Sequence, residues 1–129
     1  MFLQTDAPGF AECRSFFGWW RIWLGAPFIT LPPDQQVAVM EHELAHVRMH
    51  HTEQRIFCLL LAPFLFSWLC RRQEFQADKR ATRLGHGLAL LRLLSDEKEG
   101  SATHPSHEAR RNRITLELST LRTISPGTT

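Results

Sequence analysis

Residues 32 to 51 read PPDQQVAVMEHELAHVRMHH, and the reading of this stretch decides the fold. Pro33 at a first turn, followed by Asp34 to complement the helix dipole, marks a helix start, and the helix is expected to run to about His51. Val37, Met40, Leu44 and Val47 recur at spacings of three, four and three, an apolar stripe assigned to the core. His42 and His46 fall nearly opposite that stripe. Such a helix packs a core behind it and keeps a site in front.

That front carries His42-Glu43-Leu44-Ala45-His46, the pattern H-E-x-x-H. Residues four apart on a helix point the same way, so both imidazoles can reach one tetrahedral Zn²⁺ at about 2.0 to 2.1 Å each. Glu43 lies about 100° round the helix from His42, beside the open position of such an ion, where it can take a proton from water. In a chain with seven histidines the pattern can also arise by accident, so it needs a third ligand. Glu74 supplies one, 28 positions after His46. Asp78, one turn on, is placed to accept the outer N–H of His42 and fix its tautomer. Glu74 and Asp78 alone would read as a solvated face paired with Arg71 and Arg72. Beside the upstream motif they complete a His₂Glu metal set and its support.

Outward from these two segments the chain is read more coarsely. Residues 1–18 lack a clear period and are expected to be an irregular lead-in with room for one short helix. Trp19 to Thr30 is rich in aromatic and β-branched residues around Gly25 and Pro27, which predicts one or two short strands with a bend, Pro27 favouring a sheet edge. A second helix is predicted over 71–84 and a short third over 88–94. A charged loop over 96–103 then leads to His104-Pro105-Ser106, which opens a last helix burying Ile114, Leu118 and Leu121. Residues 125–129 are expected to be a disordered tail. His50 and His51 point about 40° and 140° beyond His46 on a continuing helix, as supporting or surface groups. His86 and His107 have no motif around them.

The bulk properties fit one domain over 1–129, predominantly helical in an α+β class. A net charge of +2 is far from the basic excess of a nucleic-acid binder, so none is expected as a partner, and Arg110, Arg111 and Arg113 read as a solvated face. Cys13, Cys58 and Cys70 are odd in number and suit free thiols in a reducing compartment. No secretory signal opens the chain, which favours a cytoplasmic or membrane-associated protein. Ile56 to Cys70 (IFCLLLAPFLFSWLC) spans only about 22 Å as a helix and holds Pro63, so it does not cross a membrane of about 30 Å. It reads either as core material, a buried helix or bent hairpin, or as a surface that dips into a membrane with arginines at the headgroups.

HELAH at 42–46, His51 five places after His46, EFQAD at 74–78 and THPSHEAR at 103–110 together resemble the gluzincin metallopeptidases, within them the M48 family, with features of the M56 family. GAPFITLPPDQQVAVMEHE is similar to that family's edge strand leading into the metal-binding helix. The resemblance implies a zincin-like minimal metallopeptidase domain, with a short edge strand or hairpin beside the active-site helix pairing with an extended peptide substrate. The transmembrane helices of larger members are missing here or reduced to Ile56–Cys70. It also nominates His104 or Arg110 to stabilise an oxyanion, against their readings as a cap and a solvated cation. A Zn²⁺ ion would polarise the scissile carbonyl while Glu43 relays the water proton. The alternatives are a non-catalytic zinc module that binds a partner through Trp19, Trp20, Trp23 or the apolar run, and a latent enzyme whose cleft is filled by its own chain.

Overall fold

The computed structural model describes residues 2–4 and 9–124. Three strands, β1 (Phe2–Gln4), β2 (Ala11–Phe16) and β3 (Trp19–Leu24), form one sheet in the order β1-β3-β2, with β2 antiparallel and β1 parallel to β3. The β2–β3 turn is two residues, Phe17 and Gly18, both at positive φ (44° and 87°), the arrangement whose twist matches a hairpin. Gly18 adopts it freely, and Phe17 is held there by a hydrogen bond from its N–H to Glu53 Oε1 at 3.0 Å. Helices follow: α1 (Ala26–Ile29), α2 (Pro33–Arg48), α3 (His51–Leu61), a 3₁₀ turn at Pro63–Leu65, α4 (Phe66–Ala81), a wide turn at Thr82–His86, α5 (Gly87–Leu93) and α6 (His107–Ile124). The class is thus α+β and mostly helical, as composition and pattern predict.

Several expectations are corrected. Residues 11–16 of the expected irregular lead-in are a strand, as are 2–4. Their inward-facing residues Ala11, Cys13 and Ser15 alternate with exposed Glu12, Arg14 and Phe16. Of the one or two strands expected over 19–30 there is one, β3, which stops at Leu24 because Gly25 and Pro27 start the short α1. β3 is the central strand, and β1 and β2 are the two edges. The stretch from Gly25 that resembled an edge strand is helical at 26–29. α2 ends at Arg48 and does not reach His51. His50 enters the left-handed region (φ 55°), its N–H returning to the Val47 carbonyl at 3.1 Å, and the chain turns so that His51 opens α3.

The burial of α2 is the reverse of the predicted one. Ala38, Val39, His42, Ala45 and His46 are buried, whereas Val37 is exposed and Met40, Leu44 and Val47 are only partly covered. α4 and α5 pack on the histidine side, so core and site share one face. That shared interior uses small side chains: Ala38, Ala45, Ala77 and Ala81 are all fully buried. With Ala89, Leu90, Leu94 and Ile114 they let α2, α4, α5 and α6 approach closely. α6 buries Ile114 and half-buries Leu118 and Leu121, as predicted, but starts at His107, not His104. Ile114→Ala is expected to cost about 2–4 kcal/mol in a denaturant melt, because its neighbours are helix-borne and cannot collapse into the void.

Except for buried Cys70, Ile56–Cys70 is not core. α3 and α4 form an antiparallel hairpin in which Arg55 meets Gln73, and the bend at Pro63–Leu65 leaves most of the run in solvent. The core is already filled by alanines and by α5 and α6, so the run has nothing to cover it. None of the described helices is long and apolar enough to cross a membrane. Cys13, Cys58 and Cys70 are free thiols, only Cys70 fully buried. The expected tail at 125–129 lies outside the described residues.

Candidate metal centre

One turn of α2 and the middle of α4 bring three side chains together. His42 Nε2 lies 3.3 Å from His46 Nε2 and 3.4 Å from Glu74 Oε2, and His46 Nε2 lies 3.5 Å from Glu74 Oε1. A tetrahedral ion with ligands at about 2.0–2.1 Å has ligand-to-ligand edges of about 3.3–3.4 Å, so the two ring nitrogens are spaced as two of its corners, and each faces a different oxygen of Glu74. His42, His46 and Glu74 are all buried and their donor atoms lie within 4.8 Å of one another. The residues present therefore fit a divalent ion bound by two nitrogens and an oxygen, with its fourth corner open.

The outer atoms of both rings are held. His42 Nδ1 donates to Asp78 Oδ1 at 2.9 Å, and Arg110 grips the same carboxylate through Nε to Oδ2 and a terminal nitrogen to Oδ1, both at 2.7 Å. Burial opposes the charge of Asp78, but the bonds from Arg110 and His42 hold its carboxyl below the ordinary range. His42 must therefore be the donor, which leaves Nε2 facing inward. His46 Nδ1 lies 2.8 Å from His51 Nδ1. Burial, and then the charge of Arg55, lower the His51 pKa to about 4, so His51 is neutral. With its other nitrogen bonded to Gln76, His51 accepts at Nδ1 from His46 and turns His46 Nε2 inward as well.

Electrostatics agrees with a cation between these groups. Glu74 is buried, which works against its charge, yet the hydrogen bond and charge of His42 hold it well below the usual carboxylate range. Burial also opposes charge on His42, but the bonds to Asp78 and Glu74 push its pKa up to about 10, whereas burial and the His42 charge press His46 down to about 2. Without a metal, one proton on His42 balances the carboxylates. A divalent ion would take its place.

Glu43 faces the same cleft as His42 and Glu74 and receives a hydrogen bond from the Cys13 backbone of β2. Burial, assisted by the Glu74 charge and opposed by that of His42, raises its pKa to about 7. The cleft measures about 170 Å³, with Phe10, Val39, Leu90 and Leu93 as its apolar wall and His104 and Arg110 on its polar side. His104 is mostly exposed and reaches to 4.0 Å from Glu74 Oε1. Arg110 lines the cleft but is committed to Asp78, so its guanidinium is half of a clamp. His50 is exposed near Glu53, and His107 bonds Asp96.

Two contributors escaped the sequence reading. Arg55 bonds Gln73 Oε1 at 2.6 Å and lies 3.4 Å from Glu74 Oε1, fastening α3 to the carboxylate ligand. Gln76, inside EFQAD, orients His51; only its position two residues after Glu74 hinted at it. Asp78→Asn keeps the shape of the side chain but removes the charge that His42 and Arg110 share. Zinc affinity, measured by competition with a chelating dye, is expected to fall about 10–100-fold. An unchanged affinity would show that His42 needs no charged partner. Compared with known proteins, the chain matches no family model, no curated protein and no solved structure.

Proposed function

We propose that the chain is a zinc metalloendopeptidase of the gluzincin type, similar to the M48 family, with a zincin-like minimal fold. The observation that carries the reading is the convergence of three donor residues, His42, His46 and Glu74, whose ligand atoms lie within 4.8 Å of one another, with Glu43 beside them. Two nitrogens and one oxygen suit zinc among the common divalent ions. A zinc ion there supplies a Lewis acid for the scissile carbonyl and lowers the pKa of water toward 7.

The chain's own residues do the rest. Glu43 takes one proton from the attacking water as its oxygen bonds to the carbonyl carbon, and returns it to the amide nitrogen as the C–N bond breaks. Its raised pKa keeps it close to the balance that both transfers need. Asp78 and Arg110 hold His42, and His51 holds His46, so the two rings cannot turn as charge develops. His104, at the exposed lip, is the group we assign to the oxyanion, and Arg110 acts through Asp78. An extended peptide is taken to lie in the cleft beside β2, with one side chain against Val39, Leu90 and Leu93. Retention of Glu43, which a structural metal site does not require, supports this over a non-catalytic module.

The test is a peptide library incubated with zinc-loaded protein, with new termini read by mass spectrometry. Cleavage that stops on chelation and resumes with zinc is the expected result. One zinc per chain with no new termini would leave the protein a non-catalytic zinc module.

A further inference from the structure

Of the eighteen large hydrophobic side chains exposed among the described residues, eight lie between Ile56 and Trp68, at the closed end of the α3–α4 hairpin. Leu60, Leu61 and Phe64 are 74%, 80% and 83% exposed. A soluble surface rarely gathers such a patch without a use for it. We propose that this tip inserts into the headgroup and acyl boundary of an anionic lipid surface, as a one-sided anchor.

Three observations favour lipid over a protein or a second copy. From Gln54 to Gln73 the chain holds no acidic residue, and Arg55, Arg71 and Arg72 bracket the apolar run at the open end of the hairpin. Between them, Ser67 and the thiols are the only polar side chains, whereas a protein interface of this size carries several directional hydrogen bonds. Arg72 lies over the ring of Trp68, 5.3 Å from its centroid, which sets a cation and an indole at one level, as at the edge of a bilayer. Depth agrees as well. From Arg55 to Leu61 α3 rises about 9 Å, which matches the roughly 5–10 Å by which interfacial elements sink and is far short of the roughly 30 Å of a span.

The anchor is tied to the metal centre, since Arg55 bonds Gln73 and approaches Glu74 at its base. It does not depend on the peptidase reading, and its test reads binding alone. Full-length zinc-loaded protein is floated with vesicles of phosphatidylcholine containing about a quarter phosphatidylglycerol, and with neutral vesicles. Wild type is expected to float with the anionic vesicles and much less with the neutral ones. Leu60→Asp with Phe64→Asp should reduce flotation at least about tenfold while zinc content and circular dichroism stay unchanged. A Leu61→Ser, Phe64→Ser variant serves if the charged pair disturbs folding. Arg72→Gln should narrow the preference for anionic vesicles. Wild type left unfloated, or variants that float equally well, would overturn the proposal. So would sedimentation showing a dimer of wild type that the tip variants dissociate while no vesicle binds. In that case the tip is covered by a second copy.

Discussion

Glu43→Gln should lower the rate of peptide hydrolysis by about 10²–10⁴-fold while the protein keeps one zinc per chain. The substitution preserves length and shape, and its amide oxygen can still accept the hydrogen bond from the Cys13 backbone. What disappears is, among the described residues lining the cleft, the one carboxylate that is not a candidate metal ligand. An amide cannot accept the proton from water or deliver it to the leaving nitrogen. Initial rates on a mapped cleavage site, with metal content measured on the same samples, check it. A rate within twofold of wild type would remove Glu43 from the chemistry. Loss of zinc along with activity would instead make Glu43 part of the metal's hold.

Zinc should raise the melting temperature of wild type by on the order of 10 °C, and in Glu74→Ala that rise should nearly vanish. Binding to the folded state alone adds about 4 kcal/mol when free zinc is about a thousand times the dissociation constant. For a domain of this size, each kcal/mol moves the midpoint by a few degrees. Removing Glu74 leaves two imidazoles and no anion, which weakens binding by well over tenfold and takes the stabilisation with it. Differential scanning fluorimetry with and without zinc measures both. Equal shifts in the two proteins would mean that the metal sits elsewhere and that Glu74 serves only Arg55 and His42.

The site was more legible in the sequence than the fold around it. His42, Glu43 and His46 are read from local spacing on one helix, and Glu74 and Asp78 from a second spacing of the same kind, so helical geometry alone aligned each set. That the two sets meet rests on packing of α2 against α4, which the motif suggested through the needs of a metal. The strand β2 was missed because its inward residues, Ala11, Cys13 and Ser15, are small or polar and leave no hydrophobic alternation. The buried face of α2 was misassigned for a related reason. Alanines and histidines carry little weight in an apolar count, yet here they pack the interior, whereas Val37 and Leu44 face outward or sit half covered. Arg110 was nominated for chemistry from its place in THPSHEAR, and only coordinates could reveal that Asp78 already occupies its guanidinium. His51 depended on a turn at His50 that no helical wheel contains.

The alanines between α2 and α4 have a further consequence. Ala38, Ala45, Ala77 and Ala81 are fully buried, and their lack of bulk lets the two helices lie close enough for Glu74 to reach the imidazole pair. Metal coordination tolerates displacements of about 0.2 Å, and one added methyl at such a contact shifts a helix by more than that. The geometry of this candidate centre is therefore written partly in residues defined by what they omit. Larger aliphatics there would spread the three donors apart before they disrupted the fold.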